Sequence, residues 1–217
     1  ILDGLALSTL HDDSPVQLGE VVASAKIIPL LIPKAIIEQA EEICEDEPLI
    51  RVIPFSVKKV GLIITGSEVY QGIIEDTFEA VIKGKLGLLG SQVAQTLILP
   101  DDADLIAENI KNFAMSYDIV FVTGGMSVDP DDVTPMAVKK AGAKVEVYGT
   151  PVQPGAMFMA AYLGDVPILG IPACGMFSKI TILDAVLPKV LAGERITRRY
   201  IASLGHGGLC RQCAQGC

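Results

Sequence analysis

The stretch Thr123-Gly124-Gly125-Met126-Ser127-Val128-Asp129-Pro130-Asp131-Asp132 brings two kinds of chemistry together. Gly124 and Gly125 accept positive φ and carry no Cβ, so the backbone there can approach an anion and aim N–H groups at it. Asp129, Asp131 and Asp132 follow at once. Clustered carboxylates suit a hard cation such as Mg2+, which takes one or two protein carboxylates and keeps phosphate and water as its other ligands. A cation would also cancel the repulsion between these carboxylates and a phosphate. Aspartates form turns and cap helices as well, so the same loop has a purely structural reading. Two other loops carry polar groups: Thr65-Gly66-Ser67-Glu68, running on to Glu75-Asp76, and Pro100-Asp101-Asp102.

A second cluster closes the sequence. Cys210-x-x-Cys213-x-x-x-Cys217 presents three thiolates at ligand spacing beside Gly205-His206-Gly207-Gly208. A tetrahedral structural Zn2+ or an iron–sulfur cluster normally takes four protein ligands, so the fourth would come from His206, from residues beyond 217 or from a partner. The competing reading is a redox-exposed tail without metal. Cys174 reads as a small buried hydrophobe before it reads as a ligand. His11 has no polar constellation around it, and Met126 and Met157 to Met159 read as core or pocket wall.

These loops need a scaffold, and the pattern between Val60 and Gly193 supplies one. Short apolar runs alternate with amphipathic stretches, which predicts an α/β fold: a mostly parallel sheet between two layers of helices. Strands are expected at Val60–Thr65, Val93–Leu99, Ile119–Thr123, Val145–Tyr148, Met157–Leu163 and Val166–Ile171. Helices are expected from Asp76 or Thr77 to about Leu86, from Ala103 to about Met115, from a Thr134 cap with Pro135 in the first turn to Gly142, and from Gly175 to Leu191. Pro188 should kink or shorten the last of these. In such sheets ligands bind beyond the carboxyl ends of the strands, where the three polar loops would converge. Residues 1–57 read as part of a smaller β-rich domain and linker, 58–193 as the α/β domain, and 194–217 as a tail with the cysteine cluster.

Half of the 217 residues are apolar, enough for a sizeable core. The formal charge of -9 disfavours nucleic acid and anionic membrane surfaces as partners. Apolar runs such as Val60 to Ile64 are far short of the roughly 20 residues of a membrane-spanning helix. Five cysteines, two of them isolated, do not form a paired disulfide framework, and a reducing, cytoplasmic setting is expected. An Ile at position 1 and a Cys at the last position suit a segment of a longer chain.

Taken as an ordered set, the motifs resemble the molybdenum-cofactor biosynthesis family, whose core domain binds molybdopterin. Gly61-Leu62-Ile63-Ile64-Thr65-Gly66-Ser67-Glu68 resembles the family's first strand and following loop. Ile74-Glu75-Asp76-Thr77 and Leu99-Pro100-Asp101-Asp102 resemble its Asp-bearing turns. The most specific piece is Thr123-Gly124-Gly125 followed by Asp132-Val133-Thr134-Pro135. Asp132-Val133-Thr134-Pro135 resembles the adenylyltransferase branch, which joins molybdopterin to a nucleotide. Gly125-Met126-Ser127-Val128, Pro154-Gly155 and Gly170-Ile171-Pro172 resemble the insertase branch, which loads molybdate. The chain is most similar to a divergent, insertase-like group with a C-terminal cysteine cluster.

The resemblance implies molybdopterin or its adenylylated form as ligand or substrate. A molybdenumtransferase-like or adenylyltransferase-like transferase is implied, with Asp132 and Asp129 holding Mg2+ and Glu68 and Asp76 contacting molybdate or the terminal group. Gly124, Gly125 and Ser127 would hold the phosphate side, and Thr123, Asp101, Pro154, Gly155 and Pro172 complete the ligand-binding set. It further implies a homo-oligomer, dimer or trimer, with a molybdoenzyme as a further partner. Two departures stand out: Cys174 occupies the place of an expected Asn, and Ala156 that of a lysine. These leave open a non-catalytic carrier or sensor of the cofactor. A nucleotide-processing hydrolase of the competence-damage type shares the core and is the remaining alternative.

Overall fold

The computed structural model describes residues 2–45, 47–56, 58–127 and 132–210. Asp129, Asp131, Cys213 and Cys217 therefore lie outside the described residues. The chain forms two compact units, Ile1–Pro54 and Phe55–Cys217. In the first, β1 (Leu5–Thr9) and β2 (Ala23–Ile27) pair antiparallel with Leu5 opposite Ile27, and α1 (Lys34–Glu45) follows. No described residue of this unit is buried.

The second unit runs β3 (Lys59–Thr65), α2 (Ser67–Tyr70), α3 (Phe78–Leu88), β4 (Gln92–Leu99), α4 (Ala103–Ala114), β5 (Ile119–Thr123), α5 (Thr134–Lys140), β6 (Lys144–Tyr148), β7 (Met159–Leu163) and β8 (Val166–Ile171). A 3-10 turn (Ala173–Met176), α6 (Ile182–Leu191) and α7 (Arg198–Ser203) complete it. Its six strands are ordered β4-β3-β5-β8-β7-β6. The first four are mutually parallel, whereas β7 runs antiparallel to both neighbours. The expected α/β class with a mostly parallel sheet is what the chain adopts.

The sheet is sandwiched because its strands are apolar on both faces. Leu62, Ile64, Phe121 and Leu169 pack against Ile82 and Leu86 of α3 and Val186 and Leu187 of α6. On the other face Ile63, Val120, Val122 and Ile168 pack against Ile106 and Ile110 of α4 and Ala137 and Val138 of α5. Each helix start is fixed locally. Asp76 accepts from Phe78 N at 2.9 Å and Glu79 N at 3.0 Å, and Asp102 accepts from Asp104 N and Leu105 N.

Three local expectations are corrected. The stretch Gly175–Leu191 is not one helix. Thr181 and Asp184 form a reciprocal capping box, Leu183 N to Thr181 Oγ1 at 3.2 Å and Thr181 N to Asp184 Oδ2 at 2.7 Å, which starts α6 only at Ile182. Pro188 lies inside α6, and the helix continues to Leu191 with Ala192 N bonded to Pro188 O. Thr134 does not act as a side-chain cap; it is the first helical residue, and its buried hydroxyl serves the neighbouring loop. The strand expected from Met157 begins at Met159, because Phe158 N turns back onto Gly155 O at 3.0 Å. The tail beyond Gly193 carries α7, which apolar periodicity over so short a stretch does not announce.

The strand–helix spacing at β3 depends on Gly61. A Cβ there would come within 2.4 Å of Phe113 and 2.5 Å of Tyr117, two rings already locked edge to face. Gly61→Ala is expected to lower stability by about 1–3 kcal/mol through overpacking. Urea unfolding should show a lower midpoint at unchanged slope; an unaltered midpoint would mean that the helix layer yields freely.

Candidate functional site

From β3 the chain passes outward to the edge strand β4 and then crosses back to β5 on the other side of β3. Connections therefore diverge at the border of β3 and β5, the topological switch point where open α/β sheets leave a crevice at the carboxyl ends of their strands. Thr65-Gly66-Ser67 leaves β3 there and Thr123-Gly124-Gly125 leaves β5.

Three threonines from three elements clamp this border. Thr65 Oγ1 donates to Thr123 O at 3.1 Å and lies 3.2 Å from Thr134 Oγ1, which itself bonds Gly124 O at 2.9 Å. All of Thr65, Thr123 and Thr134 are buried. Gly124 has φ 86°, and a Cβ on it would sit 2.0 Å from the Thr65 carbonyl oxygen. No other residue fits: backbone conformation and space both require glycine. Gly125, at φ 52°, would place a Cβ 3.0 Å from Thr134 Oγ1 and 3.7 Å from Asp101 Oδ1.

Asp101 ties the loop after β4 into the same place. Its Oδ2 accepts Ser67 N at 2.8 Å and Ser67 Oγ at 3.0 Å. On the far side Ser127 N–H donates to the Asp132 carboxylate. The Tyr148 hydroxyl reaches Ser127 O at 3.4 Å. Burial, then the negative charge of Asp132, push the Tyr148 phenol above its ordinary value. The result is a cradle of backbone and hydroxyl groups with carboxylates on its rim.

Of the residues expected from sequence, Asp101, Thr123, Gly124, Gly125, Ser127 and Asp132 are linked through this network. Glu68 is exposed on α2, its carbonyl accepting from Ile73 N and Ile74 N. Both carboxylate oxygens of Asp76 are engaged in capping α3. Pro154 and Gly155 are buried beneath α6: Pro154 O accepts Ile182 N at 3.2 Å, and a Cβ on Gly155 would meet Ile182 at 2.4 Å. Pro172, also buried, precedes the 3-10 turn. A cleft of about 540 Å³ lies along Gln153, Pro154, Thr181, Asp184, His206 and Cys210. Pro154 alone of the pterin-binding set lines it, so that set does not converge there.

Tyr148 was not legible as a site residue. It arrives from β6, across the sheet, and only topology announces it. The role of Thr134 was likewise hidden behind its helix-start pattern. Thr123 Oγ1 is the informative oddity: it is fully buried and, among the described residues, has no hydrogen-bond partner. A buried hydroxyl left unpaired costs about 1–3 kcal/mol, which is reason to look for a ligand that would repay it. The donor set also fits Mg2+. Asp132 supplies a hard oxygen, and since no group of three potential ligands occurs among the described residues, phosphate and water would fill the remaining positions.

The chain belongs to the probable molybdopterin binding domain family, whose model matches residues 61–192. Solved structures share the fold. A molybdopterin biosynthesis enzyme MoaB from Thermus thermophilus superposes with a TM-score of 0.54 at 22% identity, covering 64% of this chain and 98% of that one. CinA from Thermoplasma acidophilum gives 0.53 at 19% identity over 62% of this chain and 98% of its own. A molybdopterin biosynthesis MoeA protein from Pyrococcus horikosii gives 0.52 at 20% identity, covering 63% of this chain and 35% of its own. Among curated relatives, a CinA-like protein of Citrifermentans bemidjiense is 34% identical over 90 residues, 41% of this chain and 22% of that protein. A protein of Archaeoglobus fulgidus is 35% identical over 80 residues, 37% of this chain and 35% of its own length. The similarity to these curated relatives thus spans about a third or less of their length. No helix among the described residues is long and apolar enough to cross a membrane.

Two substitutions separate structure from ligand binding. Thr134→Val takes the hydroxyl partner from Gly124 O and should destabilise the protein by about 1–3 kcal/mol. Thr123→Val removes an orphan and should leave unfolding within about 0.5 kcal/mol of wild type or raise it. Equal losses in urea unfolding would contradict the network as described.

Proposed function

We propose that the chain binds molybdopterin, or its adenylylated form, with the phosphate side in the Gly124–Ser127 cradle. The observation that carries this reading is the fit of Gly124 against the Thr65 carbonyl, within a domain of the molybdopterin-binding family. Gly124, Gly125 and Ser127 hold the phosphate side; Thr123, Asp101, Pro154, Gly155 and Pro172 complete the ligand-binding set, with Pro154 and Gly155 acting through the α6 start they support. Mg2+ at Asp132 and Asp129 supplies charge neutralisation at the phosphates.

The reaction is that of a molybdenumtransferase-like or adenylyltransferase-like transferase, with Glu68 on the rim facing molybdate or the terminal group. Asp76, committed to the α3 cap, holds its loop rather than the substrate. The cytoplasm is the compartment, a homo-oligomer the working form and a molybdoenzyme the recipient of the product. A second reading draws on the CinA-like relatives: the same cradle would hold a nucleoside diphosphate, and the chemistry would be hydrolysis.

One titration series distinguishes these. The full chain is titrated with molybdopterin, adenylylated molybdopterin and ADP-ribose, then assayed for turnover with Mg2+ and molybdate. Pterin binding with turnover supports the transferase, pterin binding without turnover a carrier or sensor, and turnover of ADP-ribose with no pterin affinity overturns the proposal. Asp132→Asn should lower Mg2+-dependent turnover about 100-fold or more while preserving the fold, the scale seen when a charge-stabilising group is removed. Unchanged turnover removes that role. Thr123→Val should weaken pterin binding about tenfold, one buried hydrogen bond's worth.

A further inference from the structure

His206 and Cys210 take no part in the cradle, yet the fold places both with care. After α7 the chain presses back against Pro151–Gln153. A Cβ on Gly208 would come within 2.6 Å of Leu204 O and 2.8 Å of Pro151 O, so this approach is open only to glycine. Gln153 then grips the segment that follows: its N–H donates to Gly208 O at 2.8 Å, its carbonyl accepts from Cys210 N at 2.8 Å, and it forms a parallel bridge with Leu209. Cys210 is thereby anchored by backbone bonds on both sides of Leu209.

His206 and Cys210 line the same cleft of about 540 Å³. His206 is exposed and Cys210 half-buried, so both remain within reach of an ion from solvent. The carboxylate on that wall is engaged elsewhere: Asp184 is held by Lys85 Nζ at 2.6 Å and by Thr181 N at 2.7 Å. Among the described residues no three potential ligands are grouped for a metal, so the described chain offers two. The sequence offers two more thiols, Cys213 and Cys217, outside the described residues.

We infer that His206 and Cys210 are two ligands of a structural Zn2+ site of three cysteines and one histidine, completed by Cys213 and Cys217. The cleft selects His206 from the three sources left open for the fourth ligand. One imidazole with three thiolates is a common structural zinc set, whereas iron–sulfur clusters are ordinarily held by four cysteines. Binding deprotonates the three thiols, so affinity falls as pH is lowered. None of the four ligands belongs to the pterin cradle, and the site stands or falls apart from the proposed function.

The test uses the full chain, reduced and stripped with a chelator, titrated with Co2+ and then competed with Zn2+. One Co2+ per chain is expected, with thiolate-to-metal charge-transfer absorption that Zn2+ abolishes. Cys210→Ser and His206→Ala should each weaken binding at least about tenfold, since even the loss of an outer-shell partner costs 10–100-fold. His206→Cys should restore tight binding with stronger charge-transfer absorption. Cys44→Ser, an exposed thiol of the other unit, should change nothing. Far-UV circular dichroism verifies that each variant is folded. Wild-type affinity and spectrum in His206→Ala, no stoichiometric Co2+ in the wild type, or iron with cluster absorption in the protein as isolated would each overturn the inference.

Discussion

The close approach of Gly124 to the Thr65 carbonyl governs the functional end of this molecule. It joins two parallel strands, β3 and β5, at the point where the chain's crossovers diverge, and it forces the loop after β5 into a left-handed conformation. The hydroxyls of Thr65 and Thr134 then hold the carbonyls of Thr123 and Gly124 inward. With carbonyls held inward, the remaining polar groups of the loop are available to the crevice. Asp101 and Asp132 brace its two sides, one through Ser67 and the other through Ser127.

The rest of the second unit keeps that approach in register. Apolar strands buried on both faces fix the sheet between α3 and α6 on one side and α4 and α5 on the other, so β3 and β5 cannot slide without disturbing both cores. The Pro154–Gly155 step and the Thr181–Asp184 capping box set where α6 begins, and Lys85 ties that start to α3 through Asp184 and the Lys179 carbonyl. Cys174 lies in the turn between β8 and α6, where the resemblance leads one to expect Asn. The scaffold is therefore that of the family even where this loop is rebuilt.

Much of this was legible because its signals are local. Ile119–Thr123 reads as a buried strand from its β-branched run, Gly124-Gly125 marks the turn after it, and Asp102 marks the start of α4. What could not be read is non-local or competitive. The Thr65–Thr134 contact joins residues far apart in the chain, and Tyr148 reaches Ser127 only because β6 lies where the sheet order puts it. Thr134 has the pattern of a cap, yet its hydroxyl finds a buried carbonyl instead. Helical composition ran through Gly175–Leu191, but the capping box at Thr181 offered a better start. Pro154 and Gly155 matched a binding motif, and the structure shows them first as the support on which α6 rests.

Amide hydrogen exchange of the full chain, with and without saturating molybdopterin, tests the central claim most directly. Slowed exchange at residues 65–67 and 123–127, with little change along α4 and α7, is the result this account predicts. Protection absent from those two loops, or confined to the 203–210 segment, would contradict it.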